Sequence, residues 1–187
     1  NIGADTIIFA SNLTSADIVD GGDGSDTLVF TDGNGASNDL HQVRNIETIT
    51  LGDAATTVTT VDNLVSNGET LTVNAAALTG VNSLTWDGSA ETNGSFNITG
   101  SDQGDSITGG SGVDTIMGGA GADTIFAGWG ADIISGGAGD DIFEFSDGDM
   151  LAEDISVDGG DGIDTIRFLG SVENVDFSNV SNIERIV

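Results

Sequence analysis

The sequence has no cysteine, no proline and no tyrosine, and its single histidine is His41. Without cysteine, neither a disulfide framework nor a zinc–thiolate site can form. One histidine with no second His or Cys also excludes the usual transition-metal sites. No apolar run is long enough to span a membrane, because Asp, Asn, Gly or Ser interrupts every apolar stretch.

Positive charge is almost as scarce. The three basic residues Arg44, Arg167 and Arg185 stand against 31 acidic ones, which gives a formal net charge of −28. Nucleic acid and anionic membranes are therefore excluded as partners. Such acidity is typical of solvated disorder or of a fold that incorporates cations. Leu, Ile, Val and Phe exceed the fraction at which disorder is the default, so the chain can form a core if cations neutralise its carboxylates.

A nine-residue phrase with three glycines and an aspartate dominates the second half of the sequence. It reads GGSGVDTIM at 109–117 and GGAGADTIF at 118–126, and the same frame continues without insertion on both sides. The flanking frames are GSDQGDSIT at 100–108, AGWGADIIS at 127–135 and GGAGDDIFE at 136–144. Isolated copies stand at 21–29 and 159–167, and a truncated copy places Asp5 in the aspartate position.

Each phrase predicts a tight turn followed by a very short strand. The first six residues form the turn, where Gly accepts positive φ and lets carbonyl oxygens converge. The last three residues, such as Thr115, Ile116 and Met117, form a strand whose middle residue points inward. Two phrases make one flattened coil of a parallel solenoid, with a thin core that contains Ile107, Ile116, Ile125, Ile134 and Phe143.

Stacked turns bring the aspartates close to one another. Carboxylates on adjacent coils stand roughly 5 Å apart and repel by roughly 3 kcal/mol at an effective dielectric of about 20. A hard divalent cation between them turns this repulsion into attraction, and carboxylate and carbonyl oxygens are the ligands that calcium prefers. The phrase therefore predicts calcium sites.

These motifs resemble the repeats-in-toxin (RTX) family, whose nonapeptide is GGxGxDxUx with U a large apolar residue. The match is strict at 109–117, 118–126, 136–144, 21–29 and 159–167. It relaxes at 100–108, where Ser101 and Gln103 replace glycines, and at 127–135, where Ala127 replaces the first glycine. The resemblance implies an all-β fold, a right-handed parallel β-roll or β-helix solenoid with several calcium ions between successive turns.

The resemblance also implies the metal ligands. Asp105, Asp123 and Asp141 would line one edge of the roll, and Asp114 and Asp132 the other, with Asp5, Asp26 and Asp164 in the outlying copies. Main-chain carbonyls in the same turns would complete each ion's shell. The residues that would supply them are Gly100, Gly109, Ser111, Gly112, Gly118, Ala120, Gly121, Ala127, Trp129, Gly130, Gly136, Ala138 and Gly139.

The sequence also predicts where the ion sites become irregular. The copies at Asp26 and Asp164 lack a neighbour nine residues away, so their ions are expected to be fewer or completed by Asp20, Asp23, Asp158 and Asp161. After Asp141 the next frame on the same side has drifted, with Glu153 or Asp154 as a substitute. After Asp132, Met150 stands in the aspartate position, with Asp147 and Asp149 nearby.

The remaining sequence looks like the same solenoid with degenerate repeats. Short β-rich phrases recur at 71–73, 84–86 and 96–98, with Trp86 and Phe96 as core residues, and residues 36–49 are compatible with a helical turn. A longer period is also present, because 3–49 is restated by 139–186, including RNIETI at 44–49 and SNIERI at 181–186. We expect four segments: a calcium-binding turn with an N-I-E segment (1–50), degenerate coils (51–99), the strict roll (100–144) and a second copy of the first type (145–187). The restatement predicts tandem units in a longer protein.

Catalytic motifs are missing from the sequence. No GxGxxG or GxxxxGK[ST] occurs, there is no lysine to meet a phosphate, and every aspartate of a strict repeat is assigned to an ion. The sequence therefore predicts a non-enzymatic, calcium-binding structural module of a secreted bacterial surface protein, of S-layer or adhesin type. Its expected partners are other copies of itself or a cell-surface component, and its expected export route is type I secretion. The alternatives are the calcium-binding, secretion-aiding tail of an exported enzyme and a toxin's receptor-binding roll.

Overall fold

The protein is a parallel β-solenoid whose successive strands alternate between two facing sheets. The computed structural model describes residues 2–9, 13–14, 16–30, 39–62, 64–146, 154–171 and 175–187. Within these residues, a nine-stranded sheet extends from residue 6 to residue 181. A seven-stranded sheet accompanies it from residue 56 onward, and a two-stranded sheet lies at the N-terminal end. All strand pairs recorded there are parallel, so the expected all-β solenoid is confirmed.

The nine-stranded sheet takes every second strand of the chain. Its members are β1 (Thr6–Phe9), β3 (Thr27–Phe30), β5 (Thr48–Leu51), β7 (Thr70–Asn74), β9 (Ser95–Thr99), β11 (Thr115–Ala120), β13 (Ile133–Ala138), β15 (Ser156–Asp161) and β17 (Val180–Ser181).

The strands between them form the opposite side. The seven-stranded sheet contains β6 (Thr56–Thr59), β8 (Leu84–Asp87), β10 (Ser106–Thr108), β12 (Thr124–Phe126), β14 (Ile142–Phe145), β16 (Thr165–Phe168) and β18 (Arg185–Ile186). The two-stranded sheet pairs β2 (Val19–Asp20) with β4 (Val43–Arg44), and a 3-10 helix (Asp39–Gln42) precedes β4. This helix lies in the stretch 36–49 that is compatible with a helical turn, of which residues 36–38 lie outside the described part.

The core lies between the sheets as two columns of apolar side chains stacked in register. In the seven-stranded sheet, Ile107 pairs with Ile125, Ile125 with Phe143, and Phe143 with Ile166. The nine-stranded sheet stacks Ile98, Ile116, Ile134 and Val157 in the same way, and all eight of these residues are buried. In the degenerate coils Trp86 and Phe96 pack edge to face at 5.5 Å between ring centroids. In these coils, which lack the regular nonapeptide, buried aromatic side chains stabilise the core.

The prediction of three-residue strands is wrong for one sheet. β10 and β12 have three residues each, but β11, β13 and β15 have six, because they continue into the first three residues of the following phrase. Gly119 pairs with Gly137, and Gly137 with Gly160, so the backbone ladder bends around the corner. The absence of a Cβ at these positions permits that close stacking, since an added Cβ at Gly137 would overlap the carbonyl oxygen of Gly119.

Candidate metal centre

One row of carboxylates runs along the corner that leads into the seven-stranded sheet. The backbone N–H of Asp105 donates to Asp123 Oδ1 at 2.7 Å, that of Asp123 to Asp141 Oδ1 at 2.8 Å, and that of Asp141 to Asp164 Oδ1 at 2.8 Å. The Asp164 N–H then donates to Glu184 Oε2 at 2.8 Å. We name these five residues the long ladder. Each carboxylate is thereby fixed against the coil that precedes it.

A second row lies on the opposite corner, which leads into the nine-stranded sheet. Phe96 N–H donates to Asp114 Oδ1 at 2.7 Å, Asp114 N–H to Asp132 Oδ1 at 2.7 Å, and Asp132 N–H to Asp154 Oδ1 at 3.1 Å. We name Asp114, Asp132 and Asp154 the short ladder. The strict repeats thus place alternate aspartates on opposite corners, which is the division that the resemblance implies.

The N-terminal coils carry a third row, built by the same rule. Asp5 N–H donates to Asp26 Oδ1 at 2.7 Å, and Asp26 N–H donates to Glu47 Oε2 at 2.6 Å. We name these three residues the N-terminal ladder. It precedes strands β1, β3 and β5 of the nine-stranded sheet, whereas Asp164 and Glu184 precede β16 and β18 of the seven-stranded sheet.

The second oxygen of most ladder aspartates is buried without a hydrogen-bond partner. This holds for Oδ2 of Asp5, Asp26, Asp123, Asp132, Asp141 and Asp164. A buried carboxylate oxygen without a partner is costly unless a proton or a cation compensates it. The first members of the long ladder and the short ladder differ, because Ser101 N–H donates to Asp105 Oδ2 at 2.6 Å and Gly110 N–H to Asp114 Oδ2 at 2.7 Å.

Where a phrase begins with glycine, the missing Cβ leaves room for these oxygens. A Cβ on Gly118 would overlap Asp123 Oδ2 and lie 2.7 Å from the carbonyl oxygen of Gly136. A Cβ on Gly136 would meet Asp141 Oδ2 and the Gly159 carbonyl oxygen in the same way. The carboxylate of one turn and a carbonyl oxygen of the next turn on that side therefore converge on one space. Gly100 and Gly109 repeat this arrangement with the carbonyl oxygens of Gly118 and Ala127.

The other main-chain positions predicted as ligands are distributed differently. The carbonyls of Gly112 and Gly121 stack against Gly130 and Gly139 of the following turns. The Ala138 carbonyl already accepts a hydrogen bond from Gly121 N–H at 2.7 Å. The backbone N–H groups of the remaining three donate to preceding turns: Ser111 to Glu91 O, Ala120 to Ser101 O and Trp129 to Gly110 O, all at 3.0 Å.

Two expectations about the irregular turns are wrong. The ladder residue on the coil after Asp141 is Asp164 and not Glu153 or Asp154. Asp154 instead accepts the backbone N–H of Asp132 on the opposite corner. The chain between these turns is longer than two nonapeptides, so counting in nines assigned the wrong corner. Asp147, Asp149, Met150 and Glu153 lie outside the described residues. The sequence also missed Glu47 and Glu184, although the repetition of N-I-E at both places was the signal that could have found them.

Burial makes a negative charge on the ladder carboxylates unfavourable unless a proton or a cation compensates it. Desolvation raises the pKa of Asp114 and of Asp123 to about 7 and that of Asp132 to about 6, although backbone N–H groups oppose the shift. Neighbouring carboxylates add to it, namely Asp132 and Glu91 for Asp114, and Asp141 and Asp105 for Asp123. Desolvation likewise raises the pKa of Asp141 and Asp164.

The donor set fits calcium and not a softer metal. Within the described residues, no group of three or more His, Cys, Asp or Glu side chains is arranged to hold an ion. A cation at the ladders must therefore combine carboxylate with main-chain carbonyl oxygens, which is the all-oxygen chemistry of a hard ion such as Ca²⁺. The buried unpartnered oxygens and the space in front of the first glycines meet that requirement.

Comparison with known families agrees with this chemistry. The model of the RTX calcium-binding nonapeptide repeat (4 copies) matches residues 13–36, 97–125 and 108–143. The chain contains RTX calcium-binding repeats. RTX repeats bind Ca²⁺ ions and are typical of proteins exported by type I secretion. Searches of curated proteins and of solved structures gave no significant match.

The RTX match covers the first isolated copy and the strict roll up to residue 143, but neither residues 51–96 of the degenerate coils nor the segment after residue 143. Asp154 and both N-I-E turns therefore join the ladders by structure alone, whereas the nonapeptide at 159–167 already places Asp164 in the aspartate position. The repeat is a structural calcium-binding element and not a catalytic one. No helix in the described ranges is long and apolar enough to cross a membrane.

Proposed function

We propose that this RTX chain is a structural module of a secreted bacterial surface protein, of S-layer or adhesin type, that calcium folds and assembles. The observation that carries the calcium part is the set of six buried carboxylate oxygens without partners, each on a ladder residue. At neutral pH these oxygens oppose folding of a chain that already carries a net charge of −28. Bound calcium supplies the compensating charge.

The ligands that we propose are the aspartates of the ladders together with carbonyl oxygens of the stacked turns. Asp123 and Asp141 have the clearest arrangement, because each has one oxygen fixed by the preceding coil, while its other oxygen and a carbonyl oxygen of the next turn lie close to the same glycine. Gly118, Ala127 and Gly136 are the best placed of the predicted main-chain ligands, since their carbonyls share a space with a carboxylate. Residues 100–144 would then form the core of the calcium module, flanked by segments 1–50, 51–99 and 145–187.

Recurring contacts support the surface-protein assignment. The hydrogen bonds around Asp26 and Glu47 are repeated around Asp164 and Glu184, so one structural unit recurs along the solenoid. Tandem units are suited to a long surface protein with copies of itself or a cell-surface component as partners. The RTX tail of an exported enzyme or toxin would share the calcium sites but would be joined to a catalytic or toxin domain.

Calcium-dependent folding tests the proposal directly. Extracellular calcium modules bind in the range of about 10⁻⁴ to 10⁻³ M, so the chain should be largely unfolded in chelator and should acquire β structure in millimolar calcium, because metal binding is coupled to folding. Circular dichroism measures both states, with magnesium as the control ion. An unchanged β spectrum in chelator would refute the proposal. Calcium-dependent sheets or filaments of the full-length protein in electron microscopy would separate a surface protein from a monomeric enzyme tail.

A further inference from the structure

The two N-I-E turns share an unusual backbone. Asn45 has φ +54° and Asn182 has φ +52°, and within the described residues they are the only non-glycine residues with positive φ. Asn tolerates this left-handed conformation better than other non-glycine residues, and such backbone persists where the surroundings fix it. The shared conformation indicates that the two turns have the same structural role.

Each asparagine places its carbonyl oxygen where a nonapeptide places that of its first residue. A Cβ on Gly159 would overlap the Asn182 carbonyl oxygen and lie 2.7 Å from Asp164 Oδ2. A Cβ on Gly21 would overlap the Asn45 carbonyl oxygen and lie 2.6 Å from Asp26 Oδ2. In the strict roll, the carbonyl of Gly136 stands in this relation to Gly118.

Each glutamate in turn takes the place of the nonapeptide aspartate. Glu184 Oε2 accepts the Asp164 N–H at 2.8 Å, as Asp164 Oδ1 accepts the Asp141 N–H at 2.8 Å. The carbonyl and carboxylate positions are five residues apart in a nonapeptide, as from Gly136 to Asp141, but two apart from Asn182 to Glu184. The extra methylene of Glu gives the shorter turn the reach that it needs.

The neighbouring acids hold this turn in place. Asn182 Nδ2 donates to Asp158 Oδ1 at 2.6 Å, and Asn45 Nδ2 donates to Asp20 Oδ1 at 2.7 Å. Asp20 and Asp158, which the sequence suggested as substitute ligands, therefore clamp the asparagine side chains. Glu47 and Glu184 instead accept the backbone N–H groups of Asp26 and Asp164, whose Oδ2 atoms are buried without partners.

We propose that each N-I-E turn is a shortened RTX half-site that completes a calcium site with the isolated nonapeptide before it. One site contains Asp26, Glu47 and the Asn45 carbonyl, and the other contains Asp164, Glu184 and the Asn182 carbonyl. This inference rests on the proposed calcium function and adds ligands from outside the nonapeptide. It explains how the isolated repeats can complete a site without a second nonapeptide on the following coil.

Glutamine substitutions separate this role from simple hydrogen bonding. Gln keeps an oxygen that can accept the Asp164 or Asp26 N–H, but it lacks the charge of a calcium ligand. Native mass spectrometry of the whole chain should show about one calcium fewer for Glu47→Gln, about one fewer for Glu184→Gln and about two fewer for the double variant. Glu69→Gln is the matched control, because Glu69 is exposed and belongs to no ladder.

The possible results distinguish a failure of the proposed function from a failure of the N-I-E inference. A wild-type chain that binds no calcium overturns the proposed function. A wild-type chain that binds calcium while all Glu variants keep its ion count overturns only the N-I-E inference. Anomalous difference maps of calcium-grown wild-type crystals give a second readout that depends on no variant. Peaks beside Glu47 and Glu184 support the half-site, and peaks confined to the strict roll refute it.

Discussion

The Oδ1 atom of Asp123 accepts the backbone N–H of Asp105 at 2.7 Å, although the two residues are 18 positions apart in the chain. In the strict roll, eighteen residues make one coil. The Oδ1 atom of Asp123 or Asp141 therefore accepts an N–H of the coil before it, while the Oδ2 atom lies beside the first glycine of its own turn. Because of this contact, a repeat of two nonapeptides aligns the aspartates of successive coils in one row of candidate calcium ligands.

Asp123→Ala should lower calcium stoichiometry more than Asp105→Ala. Asp123 lies between stacked turns on both sides, and its Oδ2 has no partner, whereas both Asp105 oxygens accept backbone N–H groups. We expect a loss of about two ions for Asp123→Ala and about one for Asp105→Ala, with the larger destabilisation in the first. Calcium titration combined with denaturant unfolding measures both quantities. Equal losses would show that Asp123 is not shared by two sites.

Acid should partly replace calcium in folding the roll. The folded-state pKa values of Asp114 and Asp123 are about 7 and that of Asp132 is about 6, against an ordinary value of 3.8. Because these values are raised, their contribution to stability is fully present below about 3.8 and is lost as the pH rises through about 6 to 7. Calcium-stripped chain should therefore show more β structure by circular dichroism at pH 5 than at pH 8.

The calcium-bound chain should respond to pH in the opposite direction. Calcium requires deprotonated carboxylates, so its folding midpoint should move to higher calcium concentration as the pH falls. An Asp114→Asn and Asp123→Asn double variant should weaken both trends. A calcium-free chain that is equally unfolded at pH 5 and pH 8 would contradict the assigned pKa directions.

Gly118→Ala should destabilise the calcium-bound roll by about 1 to 3 kcal/mol. The added methyl group would overlap Asp123 Oδ2 and crowd the Gly136 carbonyl oxygen, so it occupies the space where these two oxygens converge. Ala127→Gly is the matched reverse change, because Ala127 is the corresponding first residue of the next phrase and is already buried there. Unfolding in saturating calcium should show a loss for the first variant and a much smaller change for the second.

Phe96→Ala should destabilise the chain by about 3 to 5 kcal/mol even when calcium is saturating. Phe96 is 1% exposed and packs edge to face on Trp86, in coils where no buried carboxylate oxygen of a described residue lacks a partner. Asn97→Ala, on the exposed side of the same strand, is the control. If excess calcium restored wild-type stability to Phe96→Ala, the degenerate coils would depend on ions rather than on apolar packing.

The sequence by itself determined the local structure. A nine-residue period with glycine in the turn and an apolar residue after the aspartate specifies turn, strand and inward side chain within one phrase. Ile107, Ile116, Ile125, Ile134 and Phe143 were thus predicted as core residues, and all five are buried. Two phrases per coil also placed Asp105, Asp123 and Asp141 on one corner and Asp114 and Asp132 on the other.

Only the tertiary structure decided how the ladders continue outside the strict register. The partner of a ladder residue is set by the coil stacked on it, and coil length varies, so Asp141 meets Asp164 after 23 residues and Asp132 meets Asp154 after 22. The same physical reason puts the two restated segments on different sheets. Twelve strands lie between β3 and β16, so β16 is an odd number of steps after β3, and an odd number of half-coils exchanges one face of the solenoid for the other.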